Sequence, residues 1–249
     1  MRSKRIMINF ITIQILNFFD FFHKRRILIF LKNLGLKEIN IIFDIGAHKG
    51  ETLQFFLKNF EVNQIFSFEA SKPNYEILKK NFSLIENKFL KTKVYLENFA
   101  LGSENKKAKF KQFVESSSST FSNINMNSKY FKKKFRFLNK KKRDNFFQEI
   151  DLDLIPLNEY ISNNQVGYID ILKIDTEGYE FEILKGLKEK IDQVDLIFFE
   201  HHYDDMINKN YSFGDINKFL KKNNFKMIYR IKMPFRKTFE YIYVNNKKI

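Results

Sequence analysis

Short apolar runs recur along the chain, each closed by a carboxylate or a glycine and followed by apolar residues at helical spacing. Ile41-Ile42-Phe43-Asp44 leads into Gly46 and Gly50, then Thr52-Leu53-Gln54-Phe55-Phe56-Leu57. Ile65-Phe66-Ser67-Phe68 closes at Glu69, and Lys72-Pro73-Asn74 opens the next helix with proline in its first turn. Residues 169–174 run into Asp175, Glu177 and Gly178 before a helix from Tyr179, and residues 194–199 run into Glu200, His201 and His202. Residues 93–100 read as a third strand, and the alternation over 109–114 reads as an added, half-exposed hairpin strand. Residues 150–155 also alternate, and Pro156 opens a helix near 157–161. The tail holds a helix near 216–220 and strands near 225–231 and 239–244, whose short connection makes them antiparallel. The pattern predicts an α/β fold: a mostly parallel sheet, helices on both faces and a final antiparallel strand.

Residues 1–38 differ from the rest and are expected to form a basic, apolar helical extension, leaving one domain over 39–249 with a basic insertion around 115–148. Ile6 to Phe22 is apolar but carries Asn9, Gln14, Asn17 and Asp20, a polar load that a membrane span seldom tolerates. A cleaved signal needs small residues at its cleavage site, and the first alanine is Ala47. Two readings stand: a helix packed against a cytoplasmic domain, or a basic amphipathic helix on the inner face of a membrane.

The turn Asp44-x-Gly46-x-x-x-Gly50 lacks both the G-x-G-x-x-G of dinucleotide folds and the Gly-Lys-Ser/Thr of phosphate loops. A looser turn that starts on a carboxylate suits a nucleotide with no phosphate and a cationic end, such as S-adenosyl-L-methionine. Glu69 stands 25 positions after Asp44, near the roughly 20-residue offset at which a βαβ unit sets an acid on ribose hydroxyls. The chain has only four alanines, and Ala47, Ala70 and Ala100 fall beside predicted strand ends, as do Gly46, Gly50, Gly102 and Gly178. Small side chains thus stand where strands would converge on a ligand, with Asn98 and Ala100 placed to read an adenine edge. Asp44, Glu69, Asp175, Glu177, Glu200, His201 and His202 are all expected along that carboxyl-end edge.

The net charge of +15 points to an anionic partner, although a compositional skew toward Lys, Asn, Ile and Phe accounts for part of it. Residues 129–143 hold nine of the basic residues and no acid before Asp144, and read as an insertion or lid. With Phe131, Phe135 and Phe137 the block also permits an RNA-binding alternative, but no RNA-binding signature accompanies it. Cysteine is absent, which excludes disulfides, thiolate metal sites and a cysteine nucleophile.

Taken in order, Asp44-Ile45-Gly46-Ala47-His48-Lys49-Gly50, Phe68-Glu69, Asn98-Phe99-Ala100-Leu101-Gly102, Lys173-Ile174-Asp175-Thr176-Glu177-Gly178-Tyr179-Glu180, Leu184-Lys185-Gly186 and Glu200-His201-His202 resemble the FkbM-type methyltransferase family. The family's acid after the second strand is usually followed by proline; here Ala70 follows, and Pro73 comes later. The resemblance implies a Rossmann-like class I methyltransferase fold, S-adenosyl-L-methionine as cofactor, and O-methylation of a sugar, glycan or natural-product hydroxyl. Asp44, Gly46, Ala47, Gly50, Glu69, Asn98, Ala100 and Asp175 are then the expected cofactor-binding positions.

A hydroxyl acceptor must lose a proton. His201 and His202 lead as the base because histidine titrates near neutrality, with Asp175 and Glu177 as alternatives. Asp175 with Glu177 or Glu200 offers a second route, an Mg²⁺ ion on oxygen ligands. The expected partner is a small-molecule or glycan hydroxyl, with peripheral membrane contact through the N-terminal helix as an open alternative. A nucleic-acid (RNA) methyltransferase using the basic 129–143 block is the second reading, although the Pro-Pro-Tyr element that stacks a flipped amino base cannot exist here, since no two prolines are adjacent. A non-catalytic binding module is a third reading.

Overall fold

The computed structural model describes residues 21–114, 117–137, 146–234 and 236–248. A seven-stranded sheet dominates it. Strands β1 (Glu38–Ile45), β2 (Glu61–Phe68) and β3 (Lys93–Glu97) form one half, and β4 (Ala100–Gly102), β5 (Lys106–Phe113), β6 (Asn123–Ile124) and β7 (Phe147–Pro156) lie outside it. The other half comprises β8 (Ile169–Ile174), β9 (Val194–His202), β11 (Phe225–Lys232) and β12 (Thr238–Asn245), while β10 (Ile207–Asn208) pairs with β6. The order is β11-β12-β9-β8-β1-β2-β3, with β12 antiparallel to both β9 and β11 and the other neighbours parallel.

Side chains alternate across each strand, so the sheet feeds two cores. Phe43, Phe68, Leu172, Ile197 and Tyr243 pack against α5 (Leu157–Asn163), α6 (Glu180–Gly186) and α7 (Phe213–Lys222). Ile42, Ile65, Ile171, Phe198 and Ile242 pack on the opposite face, under α1 (described over 21–33), α2 (Glu51–Asn59) and α3 (Lys72–Ser83). Ser71 caps α3 by accepting from the Asn74 N–H, and Ser212 with Asp215 forms a capping box on α7.

The packed reading of the N-terminal helix holds for residues 21–33: Ile27 and Leu31 share a core with Leu53 and Phe56, and Phe30 stacks on Tyr229 with centroids 4.0 Å apart. Residues 1–20, and with them most of the apolar stretch from Ile6, lie outside the described residues. Among the described residues no helix is long and apolar enough to cross a membrane.

Two expectations need correcting. Residues 93–100 are not one strand: the chain leaves the main sheet at Asn98-Phe99, and Ala100–Gly102 joins a second sheet of order β4-β7-β5. The partner of β5 is β7, beyond the insertion, and not a neighbouring hairpin strand. The first part of the basic block is helical. It forms α4 (Lys129–Phe137), where Phe131 is buried with Phe113, Met206 and Ile207, so that ring is not offered to a nucleic-acid base. Residues 138–145, with the rest of the block, lie outside the described residues.

Candidate active site

A cavity of about 280 Å³ opens at the carboxyl ends of β1, β2, β8 and β9. Gly46, Ala47 and Glu69 line it beside Ala70, Phe99 and Ala100, with Asp175, Glu177 and Glu200 across from them. Three of the four alanines therefore border the same space. The insertion contributes as well, through Ser117, Ser119 and Phe121. It is tied down where Thr120 Oγ1 donates to the Glu177 carbonyl (2.8 Å) and Ser122 Oγ to that of Gly178 (2.7 Å).

The β1 turn is locked by contact. Gly46 has φ +84°, and a Cβ there would fall 1.9 Å from the Asp175 carbonyl oxygen. Its N–H and that of Ala47 both donate to the Phe68 carbonyl at 2.9 Å. Gly50 does not line the cavity; it opens α2 at φ 93°, and a Cβ on it would meet Leu78 at 2.9 Å. Its expected part in ligand contact is thus replaced by a packing role.

Glu69 is buried, with Oε2 accepting from the His48 N–H and Oε1 from the Ser71 N–H, each at 2.8 Å. Burial pushes its carboxyl up to about 7 against the pull of those two donors. Asn98 does not read an adenine edge in the expected way, because its amide donates to the carbonyls of Glu69 (2.7 Å) and Ala70 (3.3 Å) and so holds the loop after β2. The neighbouring Phe99 is the side chain at the cavity.

Beneath the floor lies a row of buried polar groups in register across β2, β1 and β8: Ser67, Asp44 and Lys173. Asp44 does not line the cavity, yet both its carboxyl oxygens and the Ser67 hydroxyl are buried without a hydrogen-bond partner. Burial, only partly offset by Lys173, pushes Asp44 up to about 7. Lys173 Nζ lies 3.1 Å from Asp175 Oδ2. Burial alone would lower this ammonium, but Asp175, Glu240, Asp44 and Glu200 hold it above its ordinary value. Asp175 is half-buried, and partial desolvation would raise it, but Lys173 keeps it below the usual carboxylate range.

The histidines depart from the expected base. Strand alternation turns His201 away from the cavity and against Tyr203, Tyr211 and Phe213, where burial and then Lys209 hold it at about 3. His202 shares the face of Glu200 but does not line the cavity. Its Nε2 lies 3.2 Å from Glu200 Oε1 and 3.4 Å from Glu177 Oε2, and its Nδ1 lies 3.4 Å from Asp204 Oδ2. Burial disfavours its charge, yet these carboxylates, Glu177 foremost, raise it well above the ordinary value. That shift favours its charged form and makes it poorly suited to accept a proton. Glu200, pushed up to about 7 by burial and by Asp175, is poised near neutrality, as are Asp44 and Glu69, and it stands on the side of the cavity across from Glu69.

The carboxylates expected to offer an Mg²⁺ route already have cationic neighbours. Lys173 and His202 stand against Asp175, Glu177 and Glu200, and among the described residues no group of three or more His, Cys, Asp or Glu is set to hold a metal ion.

Sequence reasoning missed Lys173, His23 and Glu240, all of which line the cavity. His23 of α1 lines it, with Nε2 2.5 Å from Glu240 Oε2 of β12, and Glu240 is the register partner of Glu200. Charges inside otherwise apolar strands, Leu172-Lys173-Ile174 and Phe239-Glu240-Tyr241, were the available signal. For His23 no local signal exists, since its partner stands 217 positions away.

The raised carboxyls carry a pH prediction. The folded Glu200 holds its proton to about 7, whereas its ordinary value is 4.5, so between those values the folded state binds the extra proton and stability falls as pH rises. Asp44 and Glu69 act in the same direction. A melting temperature measured in the absence of ligand is expected to drop from about pH 5 to pH 7.5, with a shallower drop in Glu200→Gln. A profile identical in parent and variant would count against the buried titration of Glu200.

A glycine turn against the strand-end acids of a mostly parallel sheet closed by an antiparallel strand defines the class: a Rossmann-like class I methyltransferase. The profile of the methyltransferase FkbM domain matches residues 44–227, about three quarters of the chain, and the chain belongs to that family. Methyltransferase FkbM from Methylobacillus flagellatus KT superposes with a TM-score of 0.53 at 13% identity, covering 83% of this chain and 44% of its own. TrmK of M. capricolum, solved with S-adenosyl-homocysteine, aligns at 12% identity over 85% of this chain and 64% of its own, with a TM-score of 0.48. At 13% identity the first of these likenesses speaks to the fold alone. The chain spans less than half of the first of these structures and just under two thirds of the second. No curated protein matches the chain.

Proposed function

We propose that this methyltransferase uses S-adenosyl-L-methionine to methylate a hydroxyl of a sugar, glycan or lipid-linked acceptor. The observation that carries the reading is the convergence of Glu69, Asp175 and Glu200 on one cavity behind the Gly46-Ala47 turn. The residues suit the cofactor. Glu69 keeps lone pairs for a ribose diol, Phe99, Leu101 and Phe121 give apolar surface for a base, and Asp175, ionised by Lys173, faces a cationic end.

When bound, the cofactor supplies an electrophilic methyl carbon for in-line displacement. The protein's part is alignment, worth up to about 7–11 kcal/mol, and removal of the hydroxyl proton. Glu200 takes that proton in this reading, since a base near the working pH combines an available ionised form with useful basicity. The His202 imidazolium, 3.2 Å away, steadies Glu200 while it is ionised and orients it toward the cavity.

Calorimetry with S-adenosyl-homocysteine tests the cofactor assignment without an acceptor. The parent is expected to bind, and Glu69→Ala to lose about tenfold or more in affinity, the loss of charge-assisted hydrogen bonds to a diol being worth about 1.5–3 kcal/mol. Equal affinities in the two proteins would remove Glu69 from the ribose site.

A further inference from the structure

Helix α1 divides its side chains between two environments. His23, Ile27 and Leu31, spaced four apart, are buried against the sheet and α2. The opposite side carries Phe22, Arg25, Arg26, Ile29 and Lys32, all exposed, and Phe21 and Ile29 are 60% and 50% exposed. No acid occurs over residues 21–37. The composition favours lysine so heavily that arginine is informative: of eight in the chain, four stand before residue 27.

Packing on the domain and contact with a membrane are therefore not alternatives, because they use different faces of one helix. We infer that the outer face of α1 docks on the surface of a bilayer rich in anionic lipid, with the helix lying in the interfacial plane. Exposed aromatic and aliphatic side chains interleaved with cations suit that boundary, where the apolar groups reach the acyl region and the cations meet headgroup phosphates. Lys24 is exposed and also lines the cavity, so docking sets the cavity beside the headgroups. The inference goes beyond methyl transfer and does not depend on it.

Flotation of the full chain with vesicles tests it. Binding is expected on phosphatidylcholine vesicles containing phosphatidylglycerol, weak on phosphatidylcholine alone, and reduced by added salt. Arg25→Gln with Arg26→Gln is expected to weaken it about 25-fold, two surface charges at roughly fivefold each. Ile29→Asp should weaken it as well, whereas Lys132→Gln with Lys133→Gln, on exposed positions of α4, should leave it essentially unchanged. Circular dichroism of each variant matching the parent shows that the fold is kept, as expected for exposed positions. The inference is overturned by equal partition onto neutral and anionic vesicles, by parent-like binding of the Arg25/Arg26 variant, or by loss of binding in the Lys132/Lys133 variant. It is equally overturned if the chain ignores vesicles and binds single-stranded polyuridylate through Arg25 and Arg26.

Discussion

Gly46→Ala is expected to lose about 2–6 kcal/mol of folding stability and, with it, most affinity for S-adenosyl-homocysteine. Two costs add. A non-glycine residue at φ +84° is strained by about 1–3 kcal/mol, and the new methyl would sit 1.9 Å from the Asp175 carbonyl oxygen and 2.8 Å from its carbon. Neither neighbour can yield. The Asp175 N–H donates to the Ile45 carbonyl at 2.9 Å, and Gly46 is fixed to the Phe68 carbonyl, so the turn after β1 and the loop after β8 are locked together. Gly35→Ala is the control, with the same φ of +84° and nothing within 4 Å of the added Cβ. Thermal unfolding should show Gly35→Ala losing about 1 kcal/mol and Gly46→Ala clearly more. If the two variants melt together, the close approach at Gly46 has no energetic weight.

Lys173→Met should cost about 3–5 kcal/mol, the usual penalty for removing one member of a buried charge cluster. The lysine is the buried cation whose field reaches Asp44, Asp175, Glu200 and Glu240 together, and methionine fills similar volume without answering any of them. For a domain of this size the loss corresponds to a melting temperature lower by roughly 6–20 °C. The pH dependence identifies the cause. Lys173 holds Asp175 below its ordinary 3.8, so that contribution is present above about pH 4 and is lost as pH falls through the lower folded value. The gap between parent and variant should therefore narrow in strong acid. A gap that stays constant from neutral to strongly acidic pH would point to lost packing and not to lost charge.

Much of the fold was legible because its signals are local. A strand buried on both faces must be apolar along its length, and the chain announces the end of each such strand with a carboxylate or a glycine, as at Asp44, Glu69, Asp175 and Glu200. Scarcity helped: in a chain with four alanines, the placing of Ala47, Ala70 and Ala100 foretold the cavity wall. Strand β4 was misread because residues 93–102 keep a strand-like pattern throughout, and only the partners available to Ala100–Gly102 divide them between two sheets.

The amino-acid order by itself determined the parallel sheet, its antiparallel last strand and the set of acids that its carboxyl edge brings together, since hydrophobic periodicity and turn chemistry act over a few residues. Tertiary structure alone decided how those acids are tuned. Whether a histidine beside an acid is neutral or cationic depends on which carboxylates reach it and how much water is excluded, and both are set by strands far apart in the chain. His201 and His202 are adjacent in sequence, yet alternation puts one among aromatic rings and the other among Glu177, Glu200 and Asp204. The pairing of His23 with Glu240, like the four carboxylates around Lys173, exists only once the sheet and α1 have closed on each other.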